Sequence, residues 1–447
     1  MMRPERKLLA ISLVLCLILG LLAGCGENPQ PTEPSGTVSP EGVDYAGQLK
    51  LNMNSSTLKQ EVTVKTYVDG DTVHFYVPED VMPGGVLKAR FLAINTPEST
   101  GKIEEYGKAA SNFTKQTLQK AESIILESDT NTWNADSTGG RYLVWVWYKT
   151  ADMDEYRNLN IEILQNGLAI ASNSGGNIYG DIALAAIAQA KEQKLNVHSG
   201  KKDPDFYYGE AVELDLKELR SNVADYNGVK VAFTGIVTVN SNNSVYVETY
   251  DSETDMYYGM SVYYGYGLSG DGLQILNVGN EVRIVGTVQY YETGGTWQVS
   301  GLTYRAMKPK DPSNIQKLSE GHTPAYVLTE PARFASGTVD VVVDETVTTL
   351  PYAQLAMSTS LRMENLVVKS VYTTNDEESS SYGAMTLTCE VDGVTISVRT
   401  VVLIDANGNL ITEDAYLGKT IDVRGIVDYF GGDYQIKVFS PNDIIIH

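Results

Sequence analysis

Val64-Lys65-Thr66-Tyr67-Val68-Asp69-Gly70-Asp71-Thr72-Val73-His74-Phe75-Tyr76-Val77 decides how the first third of this 447-residue chain is read. Apolar and polar residues alternate on both sides of Asp69-Gly70-Asp71-Thr72, the pattern of two half-buried strands. Asp-Gly between such strands is a hairpin signal of the type I′ kind, in which both central residues take positive φ. A further strand-like segment runs through Arg90-Phe91-Leu92-Ala93-Ile94-Asn95-Thr96-Pro97-Glu98, with Pro97 marking its end. Gly140-Arg141 opens another.

These three segments carry more chemistry than strands require. Acidic groups, an amide and two arginines are what metal-assisted attack on a phosphodiester needs. An oxygen-lined pocket holds a hard cation, a carboxylate handles water, and guanidinium groups neutralise the phosphate as charge builds on it. Arginine suits that task because its fixed donor array meets phosphate oxygens two at a time.

At these residues the sequence resembles the staphylococcal nuclease (thermonuclease) family. The likeness continues through Glu105-Tyr106-Gly107-Lys108-Ala109-Ala110-Ser111 and Gln165-Asn166-Gly167-Leu168-Ala169. It ends with Ala188-Gln189-Ala190-Lys191-Glu192-Gln193-Lys194-Leu195-Asn196-Val197-His198-Ser199, so it spans residues 58–200. The resemblance implies that Asp71, the Thr96 carbonyl and the Asn95 side chain hold Ca2+. It implies that Glu98 orients or deprotonates the attacking water, and that Arg90 and Arg141 clamp the phosphate. The implied reaction is hydrolysis of DNA or RNA to 3′-phosphate ends, with no organic cofactor.

Three positions depart from the family pattern. Asn95 stands where the family has Asp, which removes a formal charge from the metal shell; ligand charge tunes calcium affinity. Ser137-Thr138-Gly139-Gly140 replaces a Lys and a Tyr that touch the nucleotide phosphate. Ser172-Asn173-Ser174-Gly175 replaces the tyrosines that flank the bound base.

The N-terminus speaks to location. Arg3, Arg6 and Lys7 precede an apolar run over residues 8–22 that is shorter than a membrane span. Leu22-Ala23-Gly24-Cys25 resembles a bacterial lipobox, so residues 1–24 are expected to be a signal peptide. Cys25 would then be lipidated and tie the chain to the outer face of the cell membrane. Residues 25–57, with Pro29, Pro31, Pro34 and Pro40 among small polar residues, read as an extended, disordered tether. Removal of residues 1–24 takes basic residues from 34 to 31 and acidic ones from 56 to 55, a net charge of −24. That balance favours solubility and opposes a broad phosphate-binding footprint. Cys16 and Cys25 leave Cys389 without a disulfide partner, and four scattered histidines show no zinc spacing.

Beyond Lys201-Lys202-Asp203-Pro204-Asp205, read as a short linker, the chain is strand-rich. Five alternating segments and a helical piece near Lys217 fit a small Greek-key barrel over residues 205–307. Val278-Gly279-Asn280-Glu281-Val282-Arg283-Ile284-Val285-Gly286 parallels Leu417-Gly418-Lys419-Thr420-Ile421-Asp422-Val423-Arg424-Gly425 without gaps. Both stretches resemble the penultimate strand of oligonucleotide/oligosaccharide-binding (OB) folds, placing a second such barrel at residues 325–447. Residues 308–324, with Pro309 and Pro312, read as a linker. Tyrosines crowd residues 246–291; with no Lys or Arg interleaved, they read first as strand formers rather than a stacking surface.

The expected architecture is mainly β (β+α): a nuclease-type OB barrel with helices, followed by two OB-like barrels. The expected function is calcium-dependent nucleic-acid hydrolysis by an anchored surface protein. The alternative is a nuclease fold with impaired catalysis that binds nucleic acid, glycans or a protein.

Overall fold

A computed structural model of the chain describes residues 41–447, apart from residues 101, 102, 242, 267, 292, 293, 344, 345, 377, 378 and 380. The expected signal peptide, Cys25 and the tether up to residue 40 lie outside the described residues. Among the described residues no helix is long and apolar enough to cross a membrane.

The first barrel is built from β1 (Lys59–Asp69), β2 (Thr72–Tyr76), β3 (Val86–Phe91), β5 (Ser123–Glu127) and β6 (Tyr142–Lys149), with β4 (Ile94–Asn95) between β3 and β5. β1 pairs antiparallel with β2 and β5, β2 with β3, and β5 with β6; a parallel β3–β6 pair closes the barrel. β7 (Arg157–Asn158) extends the edge of β6, and β8 (Ile170–Ala171) pairs with β4. Its helices are α1 (Tyr45–Gln48), α2 (Gly107–Gln119), α3 (Leu159–Gln165) and α4 (Gly180–Glu192). β6 is buried on both faces across Val144, Trp145, Val146 and Trp147, which explains its unbroken apolar run. Trp145 and Trp147 lie in the core as their spacing suggested. Their indole N–H groups are satisfied by Asp129 (3.0 Å) and Glu127 (2.8 Å). Asn160 of α3 ties the closing strands together: it accepts from Val146 N and donates to Leu92 O and Val144 O, all within 3.0 Å.

The second barrel repeats this closure. β10 (Lys230–Ser241), β11 (Ser244–Asp251), β12 (Met256–Tyr263), β14 (Thr296–Ser300) and β13 (Glu281–Tyr291) form a ring, with a parallel β12–β14 pair and an antiparallel β13–β10 pair. β9 (Val212–Glu213), α5 (Leu216–Ser221), α6 (Asp271–Ile275) and β15 (Gln316–Ser319) flank it. The third barrel follows the same order with β19 (Ser360–Thr373), β20 (Met385–Val391), β21 (Val394–Thr400), β23 (Asp433–Val438) and β22 (Thr420–Phe430). β16 (Val327–Leu328), α7 (Pro331–Ser336), α8 (Tyr352–Leu355), β24 (Ile444–Ile446) and a separate hairpin, β17 (Thr338–Val343) with β18 (Thr346–Pro351), complete it. The mainly β reading and the succession of barrels therefore hold.

The matched glycines of the internal repeat have paired roles. Gly279 and Gly418 both turn at positive φ, +84° and +75°, before β13 and β22. Gly286 and Gly425 sit where a Cβ would strike the neighbouring strand, at Ser300 O and Lys437 O. One continuous core runs from Leu216 to Ile444 through both C-terminal barrels, separate from that of the first barrel. Gly259 lets them touch: a Cβ there would lie 2.6 Å from Ser358 O. Across the same seam the buried Glu248 carboxylate accepts from Ser360 N (2.6 Å), Ser360 Oγ (2.8 Å) and Ala325 N (3.2 Å).

Three local expectations are corrected. The β1–β2 hairpin forms, but neither Gly70 nor Asp71 takes a positive φ, so the turn is not type I′. Glycine is required at 70 by proximity: a Cβ would come within 2.9 Å of Thr96 and Ala110. The part of the expected tether that the structure describes, residues 41–57, is docked on the first barrel rather than extended and free. Asp44 caps α1, forms a two-pronged ion pair with Arg157 (2.7 and 2.9 Å), and brings Ala46 into the core. A short apolar face (Tyr45, Ala46, Leu49, Leu51) within a polar stretch supplies the docking surface. Neither linker is free. Asp203 is buried and accepts from Tyr106 N (2.6 Å), and residues 316–319 form β15 on the edge of β13.

Candidate active site

The site is assembled where β1 meets β2, at the end of β3, and on the loop after β4. Thr114 of α2 donates to Gly70 O (2.6 Å) and holds the turn that carries Asp69 and Asp71. Ala93 adopts φ +68°, an uncommon conformation for a residue with a side chain. Its carbonyl accepts from Ser174 Oγ (2.8 Å) and Ser172 N (3.0 Å). This tight reversal turns Asn95 back against Arg90. Ser172 and Ser174, read as lost contacts, are thus supports of the turn.

Arg90 lies between two of the residues assigned to the metal. Its guanidinium donates to Asp71 Oδ1 and, at 2.6 Å, to Asn95 Oδ1. Thr72 Oγ1 and Thr96 N complete the shell of Asp71 at 3.0 and 2.9 Å. Burial pushes the Asp71 carboxyl upward, opposed by the charge of Arg90 and the Thr96 N–H. The Thr96 hydroxyl is buried with no hydrogen-bond partner.

Glu98 is exposed and hydrogen-bonds to the buried Asp69, a residue to which sequence reasoning gave no role. Burial first, and then the bond and charge of Glu98, push Asp69 up to about 7; Ser99 Oγ (2.8 Å) and Gly70 N (2.8 Å) act in the opposite direction. The signal for Asp69 was in plain view: a second carboxylate two residues from Asp71. Because the folded form keeps this proton when an unfolded Asp would release it near 3.8, the associated stability is present in acid and lost as pH rises toward 7. In chelator, urea unfolding of the full chain is therefore expected to weaken by up to a few kcal/mol between pH 4.5 and 8. Asp69→Asn should flatten that slope; an identical slope in the variant would refute the assignment.

Arg141 is not drawn into this cluster. It precedes β6, and the Arg90↔Leu143 register puts it on the same sheet face as Arg90, but its Nε and Nη2 both bond Asp136 Oδ2 at 2.7 Å. Burial would raise Asp136, yet hydrogen bonds from Thr138 and Arg141 outweigh it and hold the carboxyl below its ordinary range.

The donors around Asp71 and Asn95 are all oxygens, the ligand type of a hard cation, and two of them already converge on one positive group, the Arg90 guanidinium. Among the described residues no three His, Cys, Asp or Glu side chains form a metal-holding group. The residues fit a hard divalent ion, provided that Arg90 swings aside.

The family described as staphylococcal nuclease homologue matches residues 88–199, from β3 onward. A thermonuclease from Staphylococcus intermedius is 32% identical over 138 residues, covering 30% of this chain and 73% of the relative. The chain belongs to the staphylococcal nuclease family. Its first barrel is thus a nuclease fold, and the two C-terminal barrels are additions to it.

Proposed function

We propose that this staphylococcal nuclease family member is a calcium-dependent phosphodiesterase that hydrolyses DNA or RNA at the surface of the cell, held there by a lipid on Cys25. The observation that carries the catalytic part is the convergence of Asp71, Arg90, Asn95, Thr96 and the Asp69–Glu98 pair at one end of the first barrel. The surface location rests on the sequence pattern of residues 1–25.

When bound, calcium would offset the charge that develops on the phosphate oxygens. Asp71, Asn95 and the Thr96 carbonyl would hold it. Glu98, exposed to solvent beside the site, aligns a water and takes its proton as oxygen attacks phosphorus; the bond from phosphorus to the 5′ oxygen breaks, that oxygen takes a proton from solvent water and leaves as an alcohol, a 3′-phosphate remains, and Glu98 returns its proton to solvent. Arg90 released from Asp71 and Arg141 released from Asp136 present their N–H pairs to the phosphate. Both arginines are engaged within the chain here, which favours, as a second reading, a binding module with weakened catalysis.

Cleavage of single-stranded DNA across a calcium titration separates these readings. Asn95→Asp is expected to shift half-maximal activation to roughly tenfold lower calcium, because ligand charge sets affinity in such sites. No cleavage at any calcium concentration by the folded wild-type chain would leave the binding module standing.

A further inference from the structure

Residues added after the nuclease barrel grip the loop that carries Glu98. This loop runs from Glu98 to Tyr106, the residue before α2. Its neck is closed by two bonds: Glu104 N donates to Glu98 O (2.9 Å), and Glu98 N donates to Glu104 Oε2 (3.1 Å). Gly107 packs directly on that neck, since a Cβ there would lie 2.2 Å from Glu98 O. The neck sets the shape of the loop; contacts from outside set where it stands against the rest of the site.

Two such contacts come from the C-terminal additions. At the α2 end, the buried carboxylate of Asp203 accepts from Tyr106 N (2.6 Å). At the Glu98 end, Ser99 is held from both sides. Its hydroxyl donates to Asp69 Oδ1 (2.8 Å) in the first barrel, and its carbonyl accepts from Gln289 Nε2 (2.9 Å) on β13 of the second.

The second barrel fixes Gln289 in turn. Val288 points into the core, so Gln289 stands on the outer face of β13. Ser300 of β14 lies two residues from Gln298, the residue that opposes Gln289, and so shares that face. Its hydroxyl donates to Gln289 Oε1. With the amide oxygen taken by a hydroxyl and the amide nitrogen facing a carbonyl, which can only accept, the side chain has one satisfied orientation. Ser300 is fully buried although it belongs to an outer face, so this pair works away from water, where a lost partner costs more.

We propose that Gln289 is a positioning residue for catalysis: through the Ser99 carbonyl it sets the backbone that carries Glu98, and it makes the second barrel part of the catalytic apparatus. The catalytic half of this statement rests on the nuclease reading; the ordering of the loop does not. A displacement of about 1 Å at a reacting group can cost on the order of 100-fold in rate. The cost falls on turnover, because Glu98 acts on the attacking water rather than holding the polynucleotide.

The test compares Gln289→Leu, which keeps the bulk and removes the donor, with Gln298→Leu at the opposing position of the same face. In the full chain at saturating calcium, Gln289→Leu should lower kcat for single-stranded DNA by roughly 10- to 100-fold, with KM within about twofold. Gln298→Leu should match the wild type. In chelator, the Glu98 and Glu104 N–H groups that close the neck should exchange hydrogen roughly 3- to 10-fold faster in Gln289→Leu alone. Unchanged kcat in Gln289→Leu, an equal loss in Gln298→Leu, or a loss of kcat without faster exchange would each overturn the positioning role. If the wild type cleaves nothing, the nuclease reading fails by itself and exchange decides the remainder. Faster exchange then upholds the ordering of the loop by Gln289, and unchanged exchange removes it.

Discussion

Replacing Glu98 by Gln is expected to lower the rate of single-stranded DNA cleavage by roughly 10²–10⁴-fold, the usual contribution of a positioned general base. The fold should not suffer. Glu98 is exposed, its backbone is held by Glu104 N on Glu98 O (2.9 Å), and a Gln amide can still bond Asp69. Unfolding should therefore shift little, or toward greater stability, because the change removes a like charge beside a buried carboxyl. Initial rates and a urea curve on the same preparation decide it. Full activity in the variant would remove Glu98 from the chemistry and pass the base role to Asp69, the nearest other carboxylate.

The second large effect lies far from the site. Glu248→Ala would strip three buried donors, Ser360 N, Ser360 Oγ and Ala325 N, of their common acceptor. Each orphaned buried group costs about 1–3 kcal/mol, so a loss of several kcal/mol is expected. Its signature should be qualitative as well. The two C-terminal barrels share one core and should unfold together in the wild type, whereas the variant should show two separate transitions. A single transition with an unchanged midpoint would mean that the seam is held elsewhere, for instance by Arg220, which donates twice to Gly259 O.

Alternation along β1, β2 and β10 to β14 was legible because a strand with one wet face imposes period two on its sequence. The repeat at Gly279–Gly286 and Gly418–Gly425 was legible because those positions admit almost no other residue. The hairpin turn misled for a related reason: Gly70 is required by crowding from Thr96 and Ala110, a tertiary contact that no local rule reports. Docking of α1 and the β15 edge were hidden by prolines and small polar residues nearby, which dominate a compositional reading although a few apolar or strand-forming residues suffice to dock. At the site, the identities of Asp71, Arg90, Asn95, Thr96 and Glu98 could be read in order. The pairing of Asp69 with Glu98, and the engagement of Arg90 and Arg141 by other carboxylates, depend on side-chain positions that only the assembled barrel sets.

The clamp between Asp44 and Arg157 moves the start of the folded unit back into a stretch that composition alone would discard. A fragment begun at Leu51 would shed α1, uncover the place Ala46 fills in the core and leave Arg157 to Glu162, so where the first barrel is cut out decides whether it is tested whole.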